Sequence, residues 1–158
     1  MDRLFARIGS ADDLYRHQST FMLEMLEVSN ILRQATGRSL VIMDEVGRGT
    51  SPISGEAVSF ATIDHLTKVN KCRTLFATHF HSLGEMAHKE GMEVEEWCTG
   101  VEEDGDGFNY LYKLRRGVNK ESHALKVAKL AGMPESAIAL ASGIIERDEK
   151  WMNICEGS

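Results

Sequence analysis

Residues 40–43 run Leu-Val-Ile-Met without a polar interruption, and the chain then turns abruptly polar at Asp44-Glu45. A short apolar run closed by the glycine-rich turn Val46-Gly47-Arg48-Gly49-Thr50-Ser51 predicts a buried parallel strand over 39–43. The pattern recurs as Arg73-Thr74-Leu75-Phe76-Ala77, which again ends on polar side chains, Thr78 and His79. Upstream, Phe21, Leu23, Met25, Leu26, Val28, Ile31 and Leu32 recur at helical spacing. Ser19 or Thr20 would cap that helix, Glu24 would complement its dipole, and Gly37 would stop it. A second helix, from about Gly55 to Lys68, places Val58, Ala61, Ile63 and Leu66 toward the sheet. Strand, helix and strand should cross over right-handedly and leave the two strands parallel. Leu4 to Ile8 reads as an edge strand that enters a loop at Gly9-Ser10.

Past these elements the character changes. Residues 93–101 and 108–115 predict an antiparallel hairpin closed by Glu102-Glu103-Asp104-Gly105-Asp106-Gly107. Two helices follow, 122–131 and 135–148, broken at Gly132 and restarted at Pro134. The tail from Trp151 carries no pattern, and no internal repeat is present.

Composition narrows the function classes. A chain of 158 residues with 42% apolar content can bury one core, with room for an appendage. Its apolar runs are too short to span a bilayer, and no basic-then-apolar leader opens it. Mitochondrial import stays open, because a truncated chain would have lost a transit peptide. Cys72, Cys98 and Cys155 are odd in number and far apart, with no C-x-x-C pair, which favours reduced structural thiols inside the cell over a zinc site. The net charge of −6 excludes this stretch as the main grip on a nucleic acid, since such affinity rests on neutralising phosphates. The helix–turn–helix pattern at 122–148 invites a groove-reading hypothesis. Its wide apolar face (Ala137, Ile138, Leu140, Ala141, Ile144, Ile145) and mostly acidic polar residues favour packing instead. The acidic run 102–107 lacks the later ligands of a calcium loop and reads as a solvated turn.

The candidate chemistry lies at the strand tips. An open α/β sheet presents its ligand crevice outside the carboxyl ends of its strands. There Asp44 could hold the water shell of Mg2+ while Glu45 polarises an attacking water. His79, at the tip of the neighbouring strand, is the third candidate; His79 and His81 lack a third ligand for a metal site of their own. No G-x-x-x-x-G-K-[ST] loop occurs, and the Gly47-to-Thr50 run that follows the acids lacks its lysine. The expectation is the second half of an ATPase site, in a chain truncated ahead of its first residue.

Several blocks in order carry a family resemblance. Arg7 to Leu14, Ser19 to Met25, Asp44 to Ser51, Thr74 to Phe80 and Val127 to Pro134 together resemble the C-terminal ATPase region of MutS-type DNA mismatch-repair proteins, a branch of the ABC ATPases. The resemblance implies a partial P-loop ABC-type α/β sheet with flanking helices, a β-hairpin and a C-terminal helix-turn-helix. Residues 1–118 would belong to the ATPase domain, 119–150 to a dimerisation element and 151–158 to a tail. It further implies ATP and Mg2+ sandwiched between two MutS-type subunits of a homo- or heterodimer. Asp44 would serve the metal, Glu45 the hydrolytic water and His79 the γ-phosphate. Ser19, with Thr20 beside it, would face the partner's γ-phosphate. Gly47 and Gly49 would let the D-loop backbone, with Thr50, pass close to the opposing subunit. The function implied is ATP binding and hydrolysis coupled to the sensing of mismatched DNA, with DNA held by domains outside this chain and no membrane role. This chain alone would be inactive for lack of the P-loop. The location implied is intracellular, nuclear or mitochondrial in a eukaryote. The alternatives are a non-catalytic truncated dimerisation module and another ABC-type ATPase. The chain departs from the family's usual residues at Ser54, Ala124 and His81-Ser82.

Overall fold

The structure, a computed structural model, describes residues 1–9, 20–104, 107–118 and 124–156, with the backbone alone at 101–104, 107–110, 146 and 148–156. Residues 10–19, which include Ser19, and Gly105-Asp106 lie outside the described residues. The chain forms two compact units, Met1–Glu96 and Trp97–Ser158. It is a mixed α/β protein with two small sheets and five α-helices among the described residues.

The first unit is built on a parallel sheet of three strands, β1 (Leu4–Arg7), β2 (Leu40–Asp44) and β3 (Arg73–Ala77), in that order. Leu4 pairs with Leu40 and Leu40 with Arg73, so the three strands start level, and Asp44 ends opposite Ala77, one residue beyond the Arg7–Met43 pair. α1 (Thr20–Gln34) makes the first crossover and α2 (Pro52–His65) the second. Two crossovers of one hand, each advancing the sheet in the same lateral direction, must lie on the same face. The core bears this out: Val28, Ile31 and Ala35 of α1 close on Val41 and Met43 of β2, on Val46 and on Leu66, with Phe5 and Phe76 at its edges. The predicted parallel pairing and the edge position of the first strand are both present.

The other face of the sheet differs from the expected two-sided burial. Val41 and Met43 are fully buried, but Leu40 and Ile42 are only half-buried. On the flanking strands Leu4 is 57% and Leu75 62% exposed. The alternation along each strand therefore separates a packed face from a bare one.

Local chemistry explains where the helices begin and end. α1 stops at Gln34, ahead of Gly37, which is not in the left-handed conformation. Its last carbonyls are taken instead by Asn70, whose Nδ2 donates to Leu32 O and Ala35 O, both at 2.9 Å. Asn70 ends a π-helical turn, Leu66–Asn70, that continues α2, and Lys71 then turns left-handed at φ 53°. α2 starts three residues earlier than the apolar pattern suggests, because Ser51 is a good cap and Pro52 fits the first helical position. The Ser51 hydroxyl accepts from Ser54 N and donates to the Ser54 hydroxyl, so Ser54 fills the place of a capping-box acid. The expected stripe of Val58, Ala61, Ile63 and Leu66 holds at Leu66, which is fully buried, and at Val58, which packs on the core, but Ala61 is exposed and α2 itself buries Gly55, Ser59 and Thr62. Small residues let this helix approach the turn after β2 closely: a Cβ on Gly55 would lie 2.3 Å from Gly47 O, and Ser59 bonds the Val46 carbonyl. A further helix, α3 (Ser82–Lys89), was not legible in the pattern; it buries Leu83 and Ala87. Its Ser82 hydroxyl donates to Glu56 of α2.

The second unit holds the hairpin, β4 (Trp97–Asp104) and β5 (Gly107–Arg116), with a register shift between Thr99 and Val101. α4 (Ala124–Leu130) and α5 (Glu135–Glu156) follow, the latter running well past the predicted end. Gly132 joins them at φ 84°, with Met133 N donating to Ala128 O and Gly132 N to Lys129 O, a Schellman pattern.

Candidate functional site

Asp44 is the last residue of the middle strand, and its half-buried side chain emerges where the sheet ends. Its backbone carbonyl accepts a hydrogen bond from Arg7 Nη1 at 3.0 Å. Gly9 passes so close that a Cβ there would lie 3.9 Å from Asp44 Oδ2. Among the described residues no cationic side chain pairs with the Asp44 carboxylate. Glu45 leaves the strand in the left-handed region at φ 49°, a conformation that costs a non-glycine residue of the order of 1–3 kcal/mol and survives only where its surroundings enforce it. Its N–H donates to Ala77 O at 2.9 Å, which fastens the turn to the tip of β3. Arg48 Nη1 lies 2.7 Å from Glu45 Oε2. A carboxylate has about four lone-pair sites, so this ion pair leaves Glu45 free to accept from a water as well.

The rest of the turn is held from inside the molecule. Val46 is buried, and its carbonyl accepts from Ser59 Oγ at 2.6 Å. Gly47, at φ 86°, donates its N–H to Glu24 Oε1 at 2.6 Å. A Cβ on Gly47 would lie 2.4 Å from Gly55 O, so its lack of a side chain is used within this chain, against α2. Gly49 abuts the first turn of α1, where a Cβ would lie 3.2 Å from that of Phe21. Thr50 is half-buried and Thr20 exposed.

His79 lies two residues beyond Ala77, the register partner of Asp44, and is exposed. Its ring packs on Phe80 at 4.2 Å between centroids, tilted by 34°. Phe80 in turn backs Gly55, where a Cβ would lie 3.1 Å from its Cζ. The structure thus brings Asp44, Glu45, Gly47, Gly49, Thr50 and His79 to one end of the sheet, with Thr20 at the neighbouring end of α1; Ser19 is outside the described residues.

Four side chains that hold the turn were missed from sequence. Arg48 was noted only as part of a glycine-rich run and Arg7 only as part of a strand and a family block, and Ser59 carried no signal. Glu24 did carry one: it falls four residues before Val28 and seven before Ile31, on the stripe that is buried. A lone acid on a buried stripe marks a fixed internal partner.

The donor set fits magnesium rather than zinc. Among the described residues no three His, Cys, Asp or Glu converge. Magnesium needs no such cage, since it keeps waters and takes one or two carboxylates plus substrate phosphates. Among the described residues no helix is long and apolar enough to cross a membrane.

Comparison with known proteins shows the family of the chain. The family model described as MutS domain V matches residues 1–148. The DNA mismatch repair protein MutS of Rhizobium meliloti (strain 1021) is 45% identical, over 94% of this chain and 16% of its own length. That of Anaeromyxobacter sp. (strain K) is 46% identical, over 99% of this chain and 18% of its own. That of Clostridioides difficile (strain 630) is 45% identical, over 95% of this chain and 16% of its own. The chain thus spans less than a fifth of the length of these curated relatives.

Proposed function

Because the chain belongs to the MutS domain V family, we propose that it is part of the ATPase domain of a DNA mismatch repair protein, in which ATP binding and hydrolysis are coupled to the sensing of mismatched DNA. The observation that carries this reading is the placement of Asp44 and Glu45 at the tip of the middle parallel strand, with His79 beyond the tip of its neighbour. Adjacent carboxylates at the carboxyl end of a parallel sheet suit a metal-bound nucleotide on one side and a water on the other.

In this reading Asp44 orients the waters around Mg2+, which when bound would offset charge on the phosphates. Glu45 accepts from the attacking water, held in place by its left-handed backbone, Ala77 O and Arg48. His79 donates to the γ-phosphate. Thr20, at the start of α1, and Ser19, before it in the sequence, meet the nucleotide of a partner MutS-type subunit, where the positive end of the helix dipole favours an anion. Gly47, Gly49 and Thr50 shape the loop between the two subunits. The sheet is then the part of an ABC-type P-loop sheet that lies beyond the P-loop. α4 and α5 form the helix-turn-helix of the dimer, which the exposure of Leu130, Met133, Leu140 and Ile144 supports. DNA contact belongs to other parts of the complete protein, in keeping with the net charge of −6. The curated relatives are bacterial, and a nuclear or mitochondrial location gains no support from them.

The reading makes a direct prediction for this chain. No G-x-x-x-x-G-K-[ST] run is present to cradle the β- and γ-phosphates. Calorimetric titration with MgATP should therefore give no binding in the micromolar range. A chain that joins a P-loop to this segment should bind and hydrolyse ATP. Micromolar affinity in the short chain, or no hydrolysis in the joined one, would overturn the assignment.

A further inference from the structure

Glu24 and Arg7 are the two charged residues that the described part of the chain buries, at 4% and 7% exposure. Both sit against the acid-bearing turn, and the roles assigned above use neither. We infer that Glu24 is a positioning residue that ties α1 to the Asp44–Gly47 turn, so that displacement of the N-terminal end of α1 is carried to Glu45. The inference rests on the ATPase reading, in which that end of α1 meets a partner subunit's nucleotide.

Contacts with the turn succeed one another along α1. At its first turn, Phe21 packs on Gly49. One turn later Glu24 accepts the Gly47 N–H at 2.6 Å, a charge-assisted bond in a buried setting. Three residues on, and so on the same side of the helix, Glu27 Oε2 lies 3.5 Å from Arg7 Nε. Arg7 Nη1 in turn holds Asp44 O at 3.0 Å. α1 therefore grips the turn ahead of the acid pair through Glu27 and Arg7, and behind it through Glu24 and Phe21. Glu24 is the stronger grip, since Glu27 is mostly exposed and its ion pair is screened.

The turn has little freedom to absorb a shift. Ser59 fixes the Val46 carbonyl, Gly55 blocks Gly47 on one side, and Ala77 fixes Glu45. Burying a carboxylate is costly unless its hydrogen bonds are fixed, and here the fixed partner is a backbone N–H two residues from Glu45. A helix sliding along its axis would pull directly on that N–H. The two ends of the path are the places where two different nucleotides would bind, so the contact couples one site to the other.

The test uses a chain that carries a P-loop together with this segment. Glu24→Ala should lower kcat roughly 10- to 100-fold, the range seen when the outer partner of a reacting group is lost, with KM unchanged. Glu24→Gln keeps an acceptor oxygen for Gly47 and should restore most of that loss. If both variants only melt earlier and retain the parent kcat while folded, Glu24 is structural and the inference is overturned. A second readout needs no hydrolysis. In the 158-residue chain the Gly47 amide proton should resonate downfield and move upfield in Glu24→Ala. Thr20→Val should shift that signal in the parent and leave it in place in Glu24→Ala; equal shifts in both would overturn the coupling. A joined chain that hydrolyses no ATP would remove the ATPase reading and this inference together. One that hydrolyses ATP, with Glu24→Ala matching its kcat, would remove the inference alone.

Discussion

Glu45→Gln, in a chain that joins a P-loop to this segment, should slow single-turnover ATP hydrolysis by roughly 10²- to 10⁴-fold and leave ATP binding intact. The reason lies in what the amide keeps and what it loses. Its oxygen can still accept from Arg48, whose guanidinium lies 2.7 Å from Glu45 Oε2. The backbone is held independently of the side chain, by Ala77 O and by the buried Val46 that follows. The turn should therefore keep its shape. What is lost is the negative charge that polarises the attacking water and takes up its proton. Nucleotide should accumulate uncleaved, and a dimer that closes on ATP should stay closed. Rapid-quench measurement of one turnover checks this. An undiminished rate would remove Glu45 from the hydrolytic role, while loss of ATP binding would point to a collapsed turn instead.

The second large effect is expected at Gly47. Two separate penalties meet there: φ is 86°, which any L side chain resists, and a Cβ would stand 2.4 Å from Gly55 O. The approach is equally close from the other side, since a Cβ built on Gly55 would meet Gly47 O at 2.3 Å. Backbone meets backbone, so no flexible side chain can give way. Gly47→Ala should cost about 3 kcal/mol or more, at the upper end of what single substitutions do. Gly132 supplies the control. It has φ 84° but open space around its missing Cβ, so Gly132→Ala should cost only about 1–2 kcal/mol, the strain term alone. Urea denaturation of the two variants separates the cases. Equal losses would mean that the contact with Gly55 relaxes freely.

The elements most legible in sequence were those whose pattern and packing agree. The run at Leu40–Asp44 is apolar because it is the middle strand, and Thr74-Leu75-Phe76-Ala77 follows it as its parallel neighbour. The acids and His79 were legible as strand tips for the same reason. What was missed has physical causes. α2 meets the turn after β2 through Gly55 and Ser59, residues too small and too polar to register as an apolar stripe. The end of α1 is set by Asn70, a side chain from far along the chain, and nothing near Gly37 announces it. α3 is short, with only Leu83 and Ala87 buried, and leaves almost no periodicity. Glu24 was read as a complement to the helix dipole, when its register with Val28 and Ile31 already placed it inward. Patterns report burial well; they do not report which buried polar atom meets which backbone group.

The unequal faces of the sheet govern how far a mutational scan transfers between chains of different length. At Val41 and Met43, buried under α1 and α2, truncation should hurt this chain and any longer relative alike. At Leu75, 62% exposed here, a polar replacement such as Leu75→Thr should be almost silent, within about 0.5 kcal/mol. In a longer protein whose additional strands bring their crossovers to the opposite side, the same replacement would remove a buried side chain worth roughly 1.5–3 kcal/mol. Tolerance at Leu4 and Leu75 would then report whether the second face of the sheet is covered.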